Sequence, residues 1–285
     1  MRKLSAALLL LVAPSLVAQT SEGDRLWNLR AEGSRGGRAA AGPIEGAIAA
    51  FARAAAQSPN DLEARSKLLR AYRFKGAYVA STSEQKKQVY DEAKKAGAGA
   101  VALVEKQLAA RGLKTPAKAS AKQIAEIARS IPHAGEIYLW DAVNWGEWAL
   151  AYGKMAAARQ GAADRIHRGA TVAQIIDPRM EGGTPSRVLG RLHDQTPRIP
   201  FITGWASERE AVRFLTESNK IDPKNKITMV FLAEALVSGS SPDAKKKAVD
   251  LARAAASAPN EPPFVVEQAA AQADAEVLLK KWELR

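Results

Sequence analysis

Apolar residues recur along this chain at helical spacing, and one such stretch returns later without a gap. After Pro43, the residues Ile44, Ala47, Ile48, Phe51 and Ala54 or Ala55 fall three or four apart and define one apolar face. "SPND" (Ser58 to Asp61) stops that run. Leu62, Arg65, Leu68, Leu69 and Tyr72 then begin a second helix, which ends near Gly76. The same pattern reappears from Glu210: Ala47 matches Ala211, Phe51 matches Leu215, Pro59 matches Pro223, Leu68 matches Leu232 and Ala71 matches Ala235. A third version carries Leu251, Ala254 and Pro259, so that Pro223 and Pro259 stand 36 residues apart. That interval is near the tetratricopeptide period. Small Ala residues let paired helices approach, and Pro after the second helix blocks its continuation. Such hairpins cannot bury their apolar faces alone and must stack.

The remaining segments are also helical in pattern. Gln85 to Leu108 reads as one long helix, Arg111 to Ser120 as a loop, Ala121 to Ser130 as a short helix, and the stretch after the aromatic segment as one or two helices reaching about Ile176. Thr184 is the expected N-cap of a later helix with Pro185 at its first position. Ser207 is the expected cap of the next, with Glu210 completing a capping box. The expected fold is therefore all-α, a TPR-like helical-hairpin solenoid or bundle.

Three divisions follow. Arg2 and Lys3, then apolar Leu4 to Val12, then Pro14, Ser15 and small Ala18 predict a secretory signal peptide over residues 1–18. Residues 19–42, rich in Gly and Arg, are expected to be flexible apart from a short helix around Leu26 to Ala31. Residues 43–285 form a single helical domain. Gln19 stands where a lipoprotein signal carries Cys, and the chain contains no Cys. A soluble periplasmic or secreted protein without lipid anchor, disulfide or Cys nucleophile is expected.

Charge adds less. The net charge is +12, two fewer once Arg2 and Lys3 are removed, but it is scattered in short Lys runs over Ala-rich helices. That pattern reads as solvated faces, and with export it argues against nucleic acid. His133, His167 and His193 are isolated in sequence and no nucleophile motif appears, so neither a metal site, a cofactor nor a catalytic residue is expected. "EGGTP" (Glu181 to Pro185) is a two-glycine turn before a helix; it reads as a plain turn or as an anion-holding helix start, with Arg187 and Arg191 adding charge one turn apart.

One stretch stands out: "EIYLWDAVNWGEWALAY", Glu136 to Tyr152, holds three of the six Trp and two of the five Tyr. On a helix, Ile137, Trp140, Asn144 and Trp148 share one face, and Tyr138, Trp145 and Tyr152 another, roughly 140° away at 100° per residue. Aromatics on two faces place this helix in the middle of the molecule. Either both faces are core, with Asp141 and Asn144 satisfied by backbone, or one face lines an apolar cavity carrying a few polar groups.

Three segments in this order, "YLWDAVNWGEWA", "EGGTPSRVLGRLHDQTP" and "IDPKNKITMVFLAEAL", together with "YDEAKKAGAGAVALVE" before them, resemble the T-component family of tripartite ATP-independent periplasmic (TRAP) transporters. The resemblance spans roughly residues 40–260. It implies a periplasmic, non-enzymatic TPR-like protein that binds the solute-binding P-component, assembles as a homotrimer, and holds a small hydrophobic ligand in a channel. Gln19 departs from the lipidated members. Under this reading Tyr138, Trp140, Asn144, Trp145 and Trp148 would line the ligand cavity, and Arg187 or Arg191 would meet a carboxylate. The alternatives are a general TPR-like periplasmic scaffold for a protein partner and, with no acid–base pair in sight, an enzyme.

Overall fold

The computed structural model describes residues 16–198, 203–237 and 241–283. Most of the expected signal peptide, residues 1–15, and the centre of the Pro- and Gly-rich insertion, residues 199–202, lie outside the described residues. Within them the fold is all-α, as the periodicity predicts. Thirteen α-helices and no strand are present: α1 (Leu16–Asn28), α2 (Ala41–Gln57), α3 (Leu62–Phe74), α4 (Ser83–Ala110), α5 (Ala121–Ala128), α6 (Ala134–Tyr152), α7 (Lys154–Arg159), α8 (Ala162–Ile176), α9 (Met180–Gln195), α10 (Glu208–Ile221), α11 (Lys226–Val237), α12 (Pro242–Ser257) and α13 (Val265–Glu283). No helix among the described residues is long and apolar enough to cross a membrane.

Helix starts follow local chemistry. Asp61 accepts the Glu63 and Ala64 N–H groups ahead of α3, and Thr82 with Gln85 and Ser120 with Gln123 form capping boxes ahead of α4 and α5. Two expectations need correction. Ser207 does accept the Glu210 N–H, but Glu210 turns its carboxylate to Arg213 at 2.8 Å rather than back to the cap. Thr184 caps no backbone N–H; its hydroxyl donates to the Glu181 carbonyl at 2.6 Å.

Residues 19–42 also depart from expectation. Instead of a flexible leader, α1 packs along α2, and the connection after it is tied down. Ala39 N–H donates to the Tyr78 carbonyl at 3.0 Å, and Arg38 donates to the Val79 and Ala80 carbonyls. The glycines that read as breakers mark close approach: a Cβ at Gly23 would stand 2.4 Å from the Phe51 ring.

Most helices pack on their sequence neighbour, with the short α5 and α7 set aside, so that α4 meets α6 and α6 meets α8. The chain then returns on itself. Val266, at the start of α13, is buried with Ile44, Phe51, Phe74 and Tyr78 from the first hairpin. Arg30, only 2% exposed, closes the contact: it donates to Glu267 (3.2 Å), to the Pro263 carbonyl (2.7 Å) and to the Trp27 carbonyl (3.3 Å). Its guanidinium also lies over the Trp27, Phe264 and Phe74 rings. The inner faces of α3, α6, α9, α11 and α13 therefore share one interior.

Candidate functional site

The aromatic helix α6 touches α3, α4, α5, α7, α8 and α9, which is the central position its two aromatic faces predict. Both faces are packed. Tyr138 lies in the cluster with Val104, Leu108, Ile124 and Val172, and Trp140 packs on that cluster from its edge. Trp145 and Trp148 sit with Tyr90, Ala142, Ile166 and Leu189. Trp148 donates its indole N–H to Asp91 at 2.8 Å and stacks on Tyr152, 4.6 Å between centroids. Lys94 lies over Trp145 and Trp148 at 3.9 and 3.5 Å. Asn144, fully buried, donates to the Leu69 carbonyl (3.0 Å) and to Trp140's own carbonyl (2.9 Å), tying α6 to α3. Asp141 is held by Arg165 of α8 at 3.1 Å, and burial raises its carboxyl against that pull. Tyr138, Trp140, Asn144, Trp145 and Trp148 thus all pack between helices, with Tyr138 Oη, Asn144 Oδ1 and Trp145 Nε1 buried and making no hydrogen bond among the described residues.

The charged interior is elsewhere, and α3 begins it. After Phe74 the backbone widens into a five-residue π-helix, Lys75–Val79, a type of irregularity that recurs at functional sites. Gly76 permits it: the Tyr90 ring of α4 occupies the place a Cβ would take, within 2.4 Å. Tyr78 is thereby turned inward beside Arg73. Arg73 donates to the Tyr78 hydroxyl at 2.8 Å, lies 4.9 Å from that ring's centroid, and pairs with Glu147 of α6 at 3.4 Å. Burial works against the Arg73 charge, but Tyr78, Glu147 and Tyr90 outweigh it and raise its pKa. Burial raises the Tyr78 and Tyr90 hydroxyls, with Glu147 adding to the rise at Tyr90.

Opposite stands α9. Its "EGGTP" start is a left-handed turn: Glu181, Gly182 and Gly183 have φ of 47°, 66° and 79°. Glu181 holds this costly conformation while its carboxylate pairs with Arg70 at 3.0 Å. The regular helix starts only at Thr184, which puts Arg187 in its first turn. Arg187 donates to Thr228 Oγ1 of α11 at 3.1 Å and to Thr184 Oγ1 at 2.5 Å. Both partners are neutral, and Arg187 forms no ion pair among the described residues. Its neighbours differ: Arg30 has Glu267, Arg70 has Glu181, Arg73 has Glu147 and Arg191 has Glu234, at 2.7 to 3.4 Å. Burial pulls Arg187 down to about 10, with the Arg73 charge the next cause, so it stays cationic at neutral pH. A partly buried guanidinium already oriented by two hydroxyls, and lacking a counter-ion, can receive a carboxylate.

Arg191, the other arginine singled out in the sequence, lies one turn on. It pairs with Glu234 (2.7 Å) and Asp194 (3.1 Å) and covers the Phe231 ring at 4.3 Å. Sequence reasoning missed Arg73, Tyr78, Tyr90, Glu147 and Thr228. They come from five different elements, and only Gly76, two residues before Tyr78, carried a readable signal. No protein-family model matches this chain, and neither does any curated protein.

Proposed function

We propose that this chain is a non-enzymatic binding protein that holds a small carboxylate on Arg187, acting outside the inner membrane as the accessory component of a TRAP-type uptake system alongside its solute-binding partner. The observation that carries the ligand half is Arg187 itself: the interior arginines around it are neutralised by Glu, and this one is not. A bidentate carboxylate would satisfy that charge at a position the two threonines already fix. The transporter half rests on the three resembling segments and on an all-helical chain of stacked neighbours, both of which agree with it. Homotrimer formation is part of the same proposal.

The test is native mass spectrometry of freshly purified protein, followed by titration with hexanoate. A co-purifying acid, and hexanoate binding weakened roughly 10- to 100-fold in Arg187→Ala with helicity intact, support the reading. Protein that retains nothing and does not bind hexanoate defeats it. The scaffold reading would then gain, since Leu150 and Met155 stand 69% and 71% exposed where α6 meets α7, as a protein-docking corner would.

A further inference from the structure

The last turn of α6 leaves the packed body. Leu150 is 69% exposed, Tyr152 36%, and Met155, just past the Gly153 turn (φ 86°), 71%. These are three of the five large exposed apolar side chains among the described residues, and they fall within six positions. The short α7 repeats the division. Ala156 and Ala157 pack on the body, whereas Lys154, Met155, Ala158 and Arg159 are exposed, and no side chain of α7 is buried. Exposed Leu, Tyr and Met side by side contribute nothing to the core, and such a patch marks a contact surface.

The charge beside it is positive and largely unspent. Lys154 borders a cleft of about 550 Å³ whose wall also carries Arg198 and Arg209. Lys154, Arg159 and Arg198 make no ion pair among the described residues, and Arg209, 92% exposed, reaches only Glu210 at 4.0 Å. The nearby carboxylates are mostly occupied. Asp194 accepts from Arg191 and Gln195, and Asp91 accepts from Trp148 and Tyr152. Among the carboxylates lining the cleft, Glu208 alone makes no ion pair among the described residues. Cations are therefore in excess where the apolar side chains emerge.

We propose that this corner docks on the surface of an anionic phospholipid bilayer. Leu150, Tyr152 and Met155 enter the boundary between headgroups and acyl chains, and Lys154, Arg159, Arg198 and Arg209 meet the lipid phosphates. A bilayer accepts single apolar side chains flanked by Lys and Arg, whose stems lie along the surface while their charges stay at the headgroups. Tyr suits the same boundary. A stable protein partner needs roughly 800 Å² of matched surface on each side, which three side chains set among unpaired cations do not offer. The contact is peripheral, since no helix among the described residues can span a membrane. It is independent of Arg187 and of any small ligand.

Co-sedimentation of the intact protein with vesicles decides it. Vesicles of phosphatidylcholine mixed with phosphatidylglycerol should carry the protein down, and vesicles of phosphatidylcholine alone should bind it roughly tenfold less or weaker. Leu150→Asn with Met155→Gln, and separately Lys154→Glu with Arg209→Glu, should each weaken binding to the mixed vesicles by roughly tenfold. All four side chains are exposed, so the fold should survive, and circular dichroism checks it. Lys245→Glu with Lys247→Glu makes the same charge change on α12, which packs on α11 and α13, and should leave binding nearly unchanged. No binding to the mixed vesicles overturns the proposal and leaves the corner to a protein partner. Binding that survives loss of Leu150 and Met155, or that falls equally with the α12 pair, reduces it to the general attraction of a basic chain and also overturns it. Inorganic phosphate should displace the protein no better than chloride at equal ionic strength; stronger displacement would make the cleft a site for free phosphate and sink the bilayer.

Discussion

His193 Nδ1 accepts the backbone N–H of Ser207 at 3.2 Å, the residue that caps α10. Its ring stacks on Phe214 and meets Trp205 edge to face, and His167 stacks on Trp205 while meeting His193 edge to face. An imidazole that accepts at Nδ1 must be unprotonated there. Burial lowers the His193 pKa and His167 lowers it further; burial also lowers His167. The folded protein therefore takes up these protons less readily than the unfolded chain. Stability is complete above the unfolded value of about 6.5 and falls as pH drops below it. Thermal melts at pH 7.5 and 5.5 should show this loss, and His193→Gln, whose amide oxygen can still accept from Ser207, should shrink it. An identical decline in both proteins removes His193 as the cause. Arg187 and Asn144 teach the complementary lesson at this scale. Asn144 stands out in the sequence because two Trp flank it, yet its amide is spent on backbone carbonyls of α3 and α6. Arg187 looks like any surface arginine until its missing counter-ion is seen, and that is a property of its neighbours, not of its own position.

At the scale of elements, regular helices were legible and irregular ones were not. α2, α4, α10 and α12 follow from apolar spacing because each has one face against its neighbour and one in solvent. The π-helix Lys75–Val79 leaves no such trace, since five residues are too few for a period. Yet it turns Tyr78 toward Arg73. Gly76→Ala tests how tightly it is held: the new Cβ would stand 2.4 Å from Tyr90 Cζ and 2.7 Å from its hydroxyl, in a fully packed place. A cost of about 1–3 kcal/mol is expected, read from urea midpoints. A variant as stable as the parent would mean that Tyr90 can step aside. The α9 start was half legible. Its two glycines marked a turn, but the pairing of Glu181 with Arg70, more than a hundred residues earlier, left no trace in the local pattern.

For the whole molecule, the return of α13 to the first hairpin is the feature that no local pattern announced. The contact joins Arg30 to Glu267 across 237 positions. Arg30 is enclosed by three rings and three oxygen acceptors, and removing it would leave Glu267, already holding one unpartnered buried oxygen, without its counter-ion. Arg30→Ala should cost about 3–5 kcal/mol. In hydrogen exchange, the α13 amides should open well before those of α10 and α11; uniform loosening of all helices would contradict a local closure. The fold class was readable because each hairpin's periodicity is local. The shared interior was not, because it exists only once both ends of the helix series meet. That closure also sets an order on the birth of the molecule. While the chain is being made from its N-terminus, Ile44, Phe51, Phe74 and Tyr78 wait without their last neighbour until Val266 emerges. The first hairpin to be synthesised is thus among the last to be finished, and in that interval its apolar face is what a chaperone would find.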